Sequence, residues 1–292
     1  MKKILAFAAI AILISNNMVS QDETSKKFRA GLKFSMQPSW FQSGDPNTSK
    51  LGTGFGYGFG LNTEFRLSDV IYFATGIGGD FENGTIKYRD DGYNPTTNPQ
   101  AFHSGYTLDN SNGFVPAENG VDVTTYDKVG NSSYSLASRK IKTTHVTIPI
   151  GLKMLTKEFS GFRYFGAFGG DLGIRVSAKG TDTYTYKFEN TTSGVTMTTG
   201  GTSQTYDIGK DCSLVPFRFG MNIGLGTEYR MAGSTSLFLS VNYFRSFTNL
   251  MRTDSKFVTT GSTIDSNNKI TFTHLQQKLM MSAIKINIGI MF

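Results

Sequence analysis

The sequence predicts an all-β fold: an eight-stranded antiparallel transmembrane up-and-down β-barrel with long extracellular loops. Three observations predict it. Long segments alternate apolar residues with polar or small ones; their connections alternate strictly between short and long; and a secretory leader precedes them.

The leader has three parts. Lys2 and Lys3 open it, Ile4 to Ile14 is an eleven-residue apolar run, and Ser15 to Gln21 is small and polar. Eleven helical residues reach about 16 Å, whereas the hydrocarbon core is about 30 Å thick, so the run suits a signal peptide and not an anchor. Residues 1–20 are therefore read as the signal peptide, with cleavage before Gln21. Residues 21–26 then form a periplasmic lead, and residues 27–292 the barrel. No cysteine lies near the cleavage site, which argues against a lipid-anchored lipoprotein.

The formal net charge is +7, and the leader takes Lys2 and Lys3 with it. The remaining basic residues are scattered, whereas nucleic-acid binders cluster them on one face; no nucleic-acid partner is expected. The single cysteine, Cys212, allows no internal disulfide, so an exported chain of this kind must be held together by other means, and a closed sheet meets that need. After the leader no apolar stretch approaches 18 residues, which excludes a spanning helix.

The alternation is clearest from Leu51 to Leu67. Phe55, Tyr57, Phe59, Leu61 and Phe65 share one face, and Gly54, Gly56, Gly58, Gly60, Glu64 and Arg66 the other. Phe219, Met221, Ile223 and Leu225 alternate in the same way with Arg218, Gly220, Asn222 and Gly224. Two faces so unlike each other need two solvents, lipid outside and a polar lumen inside. The eight segments are Lys27–Met36, Gly54–Leu67, Val70–Glu82, Ile141–Leu155, Tyr164–Lys179, Val215–Met231, Ser236–Thr248 and Leu279–Phe292. In the last, Ile286, Ile288 and Ile290 face lipid.

Ser68-Asp69, Thr156–Arg163 and Ala232–Thr235 are short connections; Gln37–Thr53, Asn83–Lys140, Gly180–Ser213 and Asn249–Gln277 are long. Short periplasmic turns and long extracellular loops alternate in this way, and eight strands put both termini on the periplasmic side. The expected location is the outer membrane of a Gram-negative bacterium.

Several segments resemble the outer-membrane β-barrel domain family of Bacteroidota, the PorT-like porin family. They are Phe28 to Lys33, His145-Val146-Thr147-Ile148-Pro149-Ile150-Gly151-Leu152-Lys153, Leu239 to Tyr243 with Leu250 after it, and Ile286 to Phe292. The segment with Pro149 is the most specific. The resemblance implies an outer-membrane barrel. It also implies that the terminal Phe292 acts as an assembly signal for the barrel-insertion machinery. One member of that family serves protein secretion to the cell surface, and the Asn83–Lys140 insertion departs from it.

The predicted lumen-facing charges are Lys33, Glu64, Arg66, Asp80, Glu82, Lys153, Asp171, Arg175, Arg218, Glu228, Arg230 and Lys285. Ions in a narrow lumen must pair, because an uncompensated buried charge costs several kcal/mol. They read either as a plug of salt bridges or as the lining of a narrow pore. The lumen-face glycines leave water-filled space or make room for neighbouring side chains.

No catalytic, cofactor or metal site is expected. The three histidines, His103, His145 and His274, all fall near the outer rim with no supporting spacing. Asp90-Asp91-Gly92-Tyr93-Asn94 lacks the remaining ligands of a calcium loop. The glycines of residues 52–60 recur at period two and lack the lysine of a phosphate loop. Thr183 to Phe188 and Val195 to Thr199 read as two strand arms continuing above the membrane around Gly200-Gly201. Such polar, Tyr- and Thr-rich loops suit a protein or glycan ligand, and equally a plain hydrophilic shield. The expected function is a surface-exposed structural or binding protein. The alternatives are a narrow porin and a component assisting secretion.

Overall fold

The computed structural model describes residues 27–44, 48–88, 103–104, 107–109, 113–115, 121–122, 132–190, 195–202, 205–208, 214–252, 258–274 and 277–292. The expected signal peptide, the expected 21–26 lead, Cys212 and the Asp90–Asn94 segment lie outside them.

Eight antiparallel strands close a barrel: β1 (Phe28–Ser43), β2 (Thr48–Arg66), β3 (Ile71–Tyr88), β4 (Ser132–Leu155), β5 (Phe162–Asn190), β6 (Phe217–Ala232), β7 (Thr235–Ser246) and β8 (Leu279–Met291). Each pairs with its chain neighbours, and β8 pairs with β1, from Gly31 opposite Met291 to Ser43 opposite Leu279. Closure leaves no unpaired edge around the wall, as lipid demands.

One end has short turns. Phe159 and Phe162 exchange both backbone hydrogen bonds, at 2.8 and 2.9 Å, around Ser160 (φ 50°) and Gly161 (φ 82°). Two consecutive left-handed residues make a type I′ hairpin, whose twist matches that of the flanking strands. Gly233 (φ 55°) begins the two-residue turn between β6 and β7. At the first turn the Ser68 hydroxyl accepts from the Ile71 amide at 3.2 Å.

Near this end the wall is apolar outside and polar inside. Leu32, Phe59, Leu61, Ile150, Ile223, Leu225, Ile286 and Ile288 all point outward and are exposed on the protein itself. Leu225 reaches 74% exposure. On β4 the outward apolar set runs from Val146 to Met154. At about 3.3 Å per residue and a tilt near 40° it covers roughly 23 Å, close to the height of a lipid-facing band. Aromatic residues border it at both ends. Phe28–Phe65 (5.2 Å between centroids) and Phe162–Tyr229 (4.8 Å) lie toward the short turns, and Tyr57–Phe81 (4.7 Å) and Phe219–Phe247 (6.1 Å) toward the far end.

The strands do not stop at the expected boundary. β1 runs seven residues past Met36, β3 continues to Tyr88, β4 begins at Ser132 and β5 reaches Asn190. The first long loop, expected over Gln37–Thr53, is mostly strand on both sides of residues 44–47. The reason is an inner apolar core. Phe41, Ile86, Leu136, Ile141, Met281 and Leu279 point inward and are buried together. The outward positions on the same strands are Lys87, Lys140 and Lys142. Here the barrel rises above the lipid-facing band and packs like a soluble one. β5 takes an extra residue at Val176, where Thr144 faces Ser177 and His145 faces Arg175. This bulge exchanges its faces, so that Ala178 and Asp182 point inward.

Beyond the barrel, residues 195–202 pair back onto β5, from Val195 opposite Asn190 to Thr202 opposite Thr183. The arms expected in the third loop are present, but they do not pivot at Gly200-Gly201. Both glycines sit within the return strand, and a Cβ at Gly201 would lie 2.5 Å from the Tyr184 hydroxyl. Residues 103–104, 258–264, 269–274 and 121–122 form a separate small sheet, which joins the second and fourth loops.

Candidate functional site

The lumen is built of layers, each assembled from inward positions of several strands. Nearest the short turns, Arg29 (β1), Glu64 (β2), Lys153 (β4) and Glu228 (β6) form a closed ring. Arg29 donates to Glu64 at 3.1 Å and to Glu228 at 2.8 Å; Lys153 donates to Glu64 at 2.7 Å and also to Glu228. Two cations and two anions cancel, and every member touches both partners, which is what makes buried charge tolerable. Aromatic faces complete the shell: the Lys153 ammonium lies 4.2 Å from the centroid of Phe165, and Tyr72 and Phe238 lie beside the ring.

The middle layer is wetter in character. Lys285 bridges Asp80 at 2.9 Å and Asp171 at 3.0 Å. Gln37 donates to Asp80 at 2.8 Å. Asn222 donates to Asp171 at 3.2 Å, Asn242 to Asn222 at 3.0 Å, and Asn287 to Asn242 at 2.9 Å. Half-buried Lys33 lines a cavity of about 110 Å³ beside this network. That space is large enough for a few waters, and its lining offers polar partners.

Above it Arg218 is fully buried, bonded to Glu82 and 3.5 Å from Asp80, with its guanidinium 4.6 Å from the centroid of Phe244. His145 Nδ1 lies 3.2 Å from Glu82 Oε2. The apolar core of Phe41, Ile141, Leu214, Leu279 and Met281 then caps the axis. Within it Arg139 and Asp182 make a bidentate pair, at 2.7 and 2.8 Å.

The glycines of the lumen face are docks for neighbours. A Cβ at Gly58 would lie 2.5 Å from both Asp80 Oδ1 and Gln37 Nε2; at Gly220 it would lie 2.6 Å from the Phe244 ring; at Gly224 it would collide with the Asn242 amide. Their missing side chains are filled by protein.

Of the expected lumen charges, Glu64, Asp80, Glu82, Lys153, Asp171, Arg218, Glu228 and Lys285 are buried and paired in the interior. Arg175 is half-buried and donates to the Leu214 carbonyl at 3.3 Å. Arg66 and Arg230 sit elsewhere: they lie at the short-turn rim and pair with turn carboxylates, Arg66 with Asp69 at 2.5 Å and Arg230 with Glu158 at 2.8 Å. Their strands end there, so the nearest anions are those of the turns. The outward positions Phe55, Tyr57, Phe59, Leu61, Phe219, Ile223, Leu225, Ile286, Ile288 and Ile290 are exposed, Met221 is half-exposed, and Phe292 follows the last strand.

His145 is not at the rim. It is 1% exposed and sealed under the apolar core. His103 and His274 fall in the small outer sheet, in register on either side of Thr259. Sequence reasoning missed Arg29, which carried the same alternation signal as Lys33, and Gln37, which lay beyond the expected end of its strand.

The family described as an outer membrane protein beta-barrel domain matches residues 19–252. No curated protein matches the chain. Among solved structures, the attachment invasion locus protein Ail of Yersinia pestis is 10% identical, covering 91% of this chain and all of its own, with a TM-score of 0.31. The outer membrane protein OprG of Pseudomonas aeruginosa is 11% identical, covering 93% and 99%, with a TM-score of 0.36. The outer membrane protease OmpT of Escherichia coli is 10% identical, covering 94% and 99%, with a TM-score of 0.33. Scores this low carry no argument about function.

Proposed function

This chain belongs to the outer membrane protein beta-barrel domain family, and from that premise we propose that it is a closed barrel working at the cell surface through its outer arms. The observation that carries the reading is the filled axis. A four-ion ring, an ion and amide network, the buried Arg218 and an apolar cap lie one above another. Conducting ions would have to displace side chains that satisfy one another. The outer arms, the return strand 195–202 and the sheet joining the second and fourth loops are then the parts left to meet a partner, a protein or a glycan.

The short-turn end is assigned to the periplasm and the long arms to the exterior. We assign the chain more narrowly to the PorT-like barrels of Bacteroidota, on the strength of the His145–Lys153 segment. The protein is assigned no enzymatic role, and Phe292 the role of an assembly signal.

Single-channel recording of the refolded protein in planar bilayers tests the closed reading. The expected result is silence across many insertions. A steady conductance that disappears when Gly58 or Gly224 is replaced by a bulky residue would establish the narrow porin instead.

A further inference from the structure

Directly above the lipid-facing band, the outward face of β3, β4 and β5 carries Lys87, Lys140, Lys142 and Lys179, all exposed. The register brings them together. Lys142 stands opposite Lys179, Lys140 lies two residues along from Lys142, and Lys87 is diagonal to Lys140 through the Thr85–Lys140 pair. None of the four has an ion pair among the described residues. Among the described residues their one acidic neighbour on this face is exposed Asp207, opposite Lys179 on its far side. The described part of the patch thus holds four cations and one anion.

Like charges directly opposite each other destabilise a sheet pair. Nothing inside the barrel requires these lysines, since the inward residues beneath them are Ile86, Ile141 and Ala178. Their height is defined by the wall. Thr144 pairs with Phe81, which stacks on Tyr57 at 4.7 Å in the aromatic border. Lys142 is two residues higher, about 7 Å along the strand. That is the level of lipid headgroups.

We infer that this lysine patch is a docking site for the phosphorylated headgroup of a glycolipid in the outer leaflet. Its acyl chains lie on the apolar wall below, along Val146 and Ile148 of β4 and Val176 of β5. The site rests on the outward placement of the long arms, and it is independent of whether the lumen conducts. An outer-leaflet phosphate would neutralise the opposed Lys142 and Lys179 and reach Lys140 from the same position. Basic residues at a membrane surface each contribute to such binding, so losing three of them has a large expected effect.

The test is native mass spectrometry of the full refolded barrel in detergent, with phosphorylated lipid A, its fully dephosphorylated form and inorganic phosphate as probes. The wild-type protein should retain phosphorylated lipid A at least tenfold more strongly than the dephosphorylated lipid. The triple variant Lys140→Gln, Lys142→Gln, Lys179→Gln should lose that preference, while Lys157→Gln at the short-turn end should keep it. Heat-modified gel mobility confirms that each variant is folded. Equal retention of the two lipids by the wild type, or an unchanged preference in the triple variant, would overturn the site. Displacement of the lipid by an equal concentration of inorganic phosphate would mark a free-anion site and overturn the lipid as its occupant.

Discussion

On β4, Val146, Ile148 and Ile150 point out of the barrel, and so do Lys140 and Lys142. Inward, Lys153 and His145 of the lower part give way to Ile141 and Leu136 above. One continuous strand thus carries the same alternation in two opposite senses. β3 does the same: Phe73 and Ile77 point out over the ionic Asp80 and Glu82, and higher up Lys87 points out over Ile86. The change comes where the aromatic border ends. From Arg139 to Leu155 β4 keeps one phase of inward and outward positions through both parts, so on this strand the surrounding solvent, and not the pleat, decides which face is greasy. The lower part is held by paired ions inside and lipid outside, the upper part by an ordinary hydrophobic core.

The comparison makes graded predictions, from largest to smallest. Lys153→Met leaves Glu64 and Glu228 sharing only Arg29, and should cost about 3–5 kcal/mol, as breaking buried pairs does; urea unfolding of the detergent-refolded barrel measures it. Ile150→Lys puts a charge at the middle of the lipid wall and should cost about 2–4 kcal/mol, whereas Lys140→Ile, above that wall, should change stability by less than about 1 kcal/mol. Equal costs for the two would erase the boundary. Ile141→Ala should cost about 2–4 kcal/mol by leaving a cavity under the cap. Ile150→Ala, facing lipid, should cost clearly less. The smallest effect is expected for Glu158→Ala, which removes the ion pairs of Glu158 with Arg163 and Arg230 at the partly exposed rim; partly exposed pairs contribute about 1 kcal/mol or less. Denaturant midpoints rank the six variants.

The lower part was legible in the sequence because its pattern is unmistakable: Phe55 to Phe65 with glycines between them, and Ile284 to Ile290 with lysine, asparagine and glycine between. The eight-strand count and the alternation of short and long connections followed from it. The upper part was not legible. Residues such as Leu136, Arg139 and Ile141 alternate just as well, but a polar outer face reads as loop to anyone looking for lipid-facing strands. Sequence reasoning therefore ends the strands too low and puts His145 at the rim, whereas thirteen strand residues, Ser132 to Thr144, rise above it on β4. The bulge at Val176 leaves no mark in a pattern of residue types, because it changes phase and not composition. Which ions pair was equally hidden: the ring of Arg29, Glu64, Lys153 and Glu228 joins four strands whose adjacency the sequence implies but whose shear it does not fix.

The boundary on β4 is open to direct measurement, since Trp40 is the only tryptophan. In a Trp40→Phe background, tryptophan placed at position 148 or at position 140 is compared for fluorescence quenching by lipids brominated on their acyl chains. Strong quenching at 148 with little at 140 is the expected result. Equal quenching at both positions, or the reverse order, would contradict the inversion of faces on which the account stands.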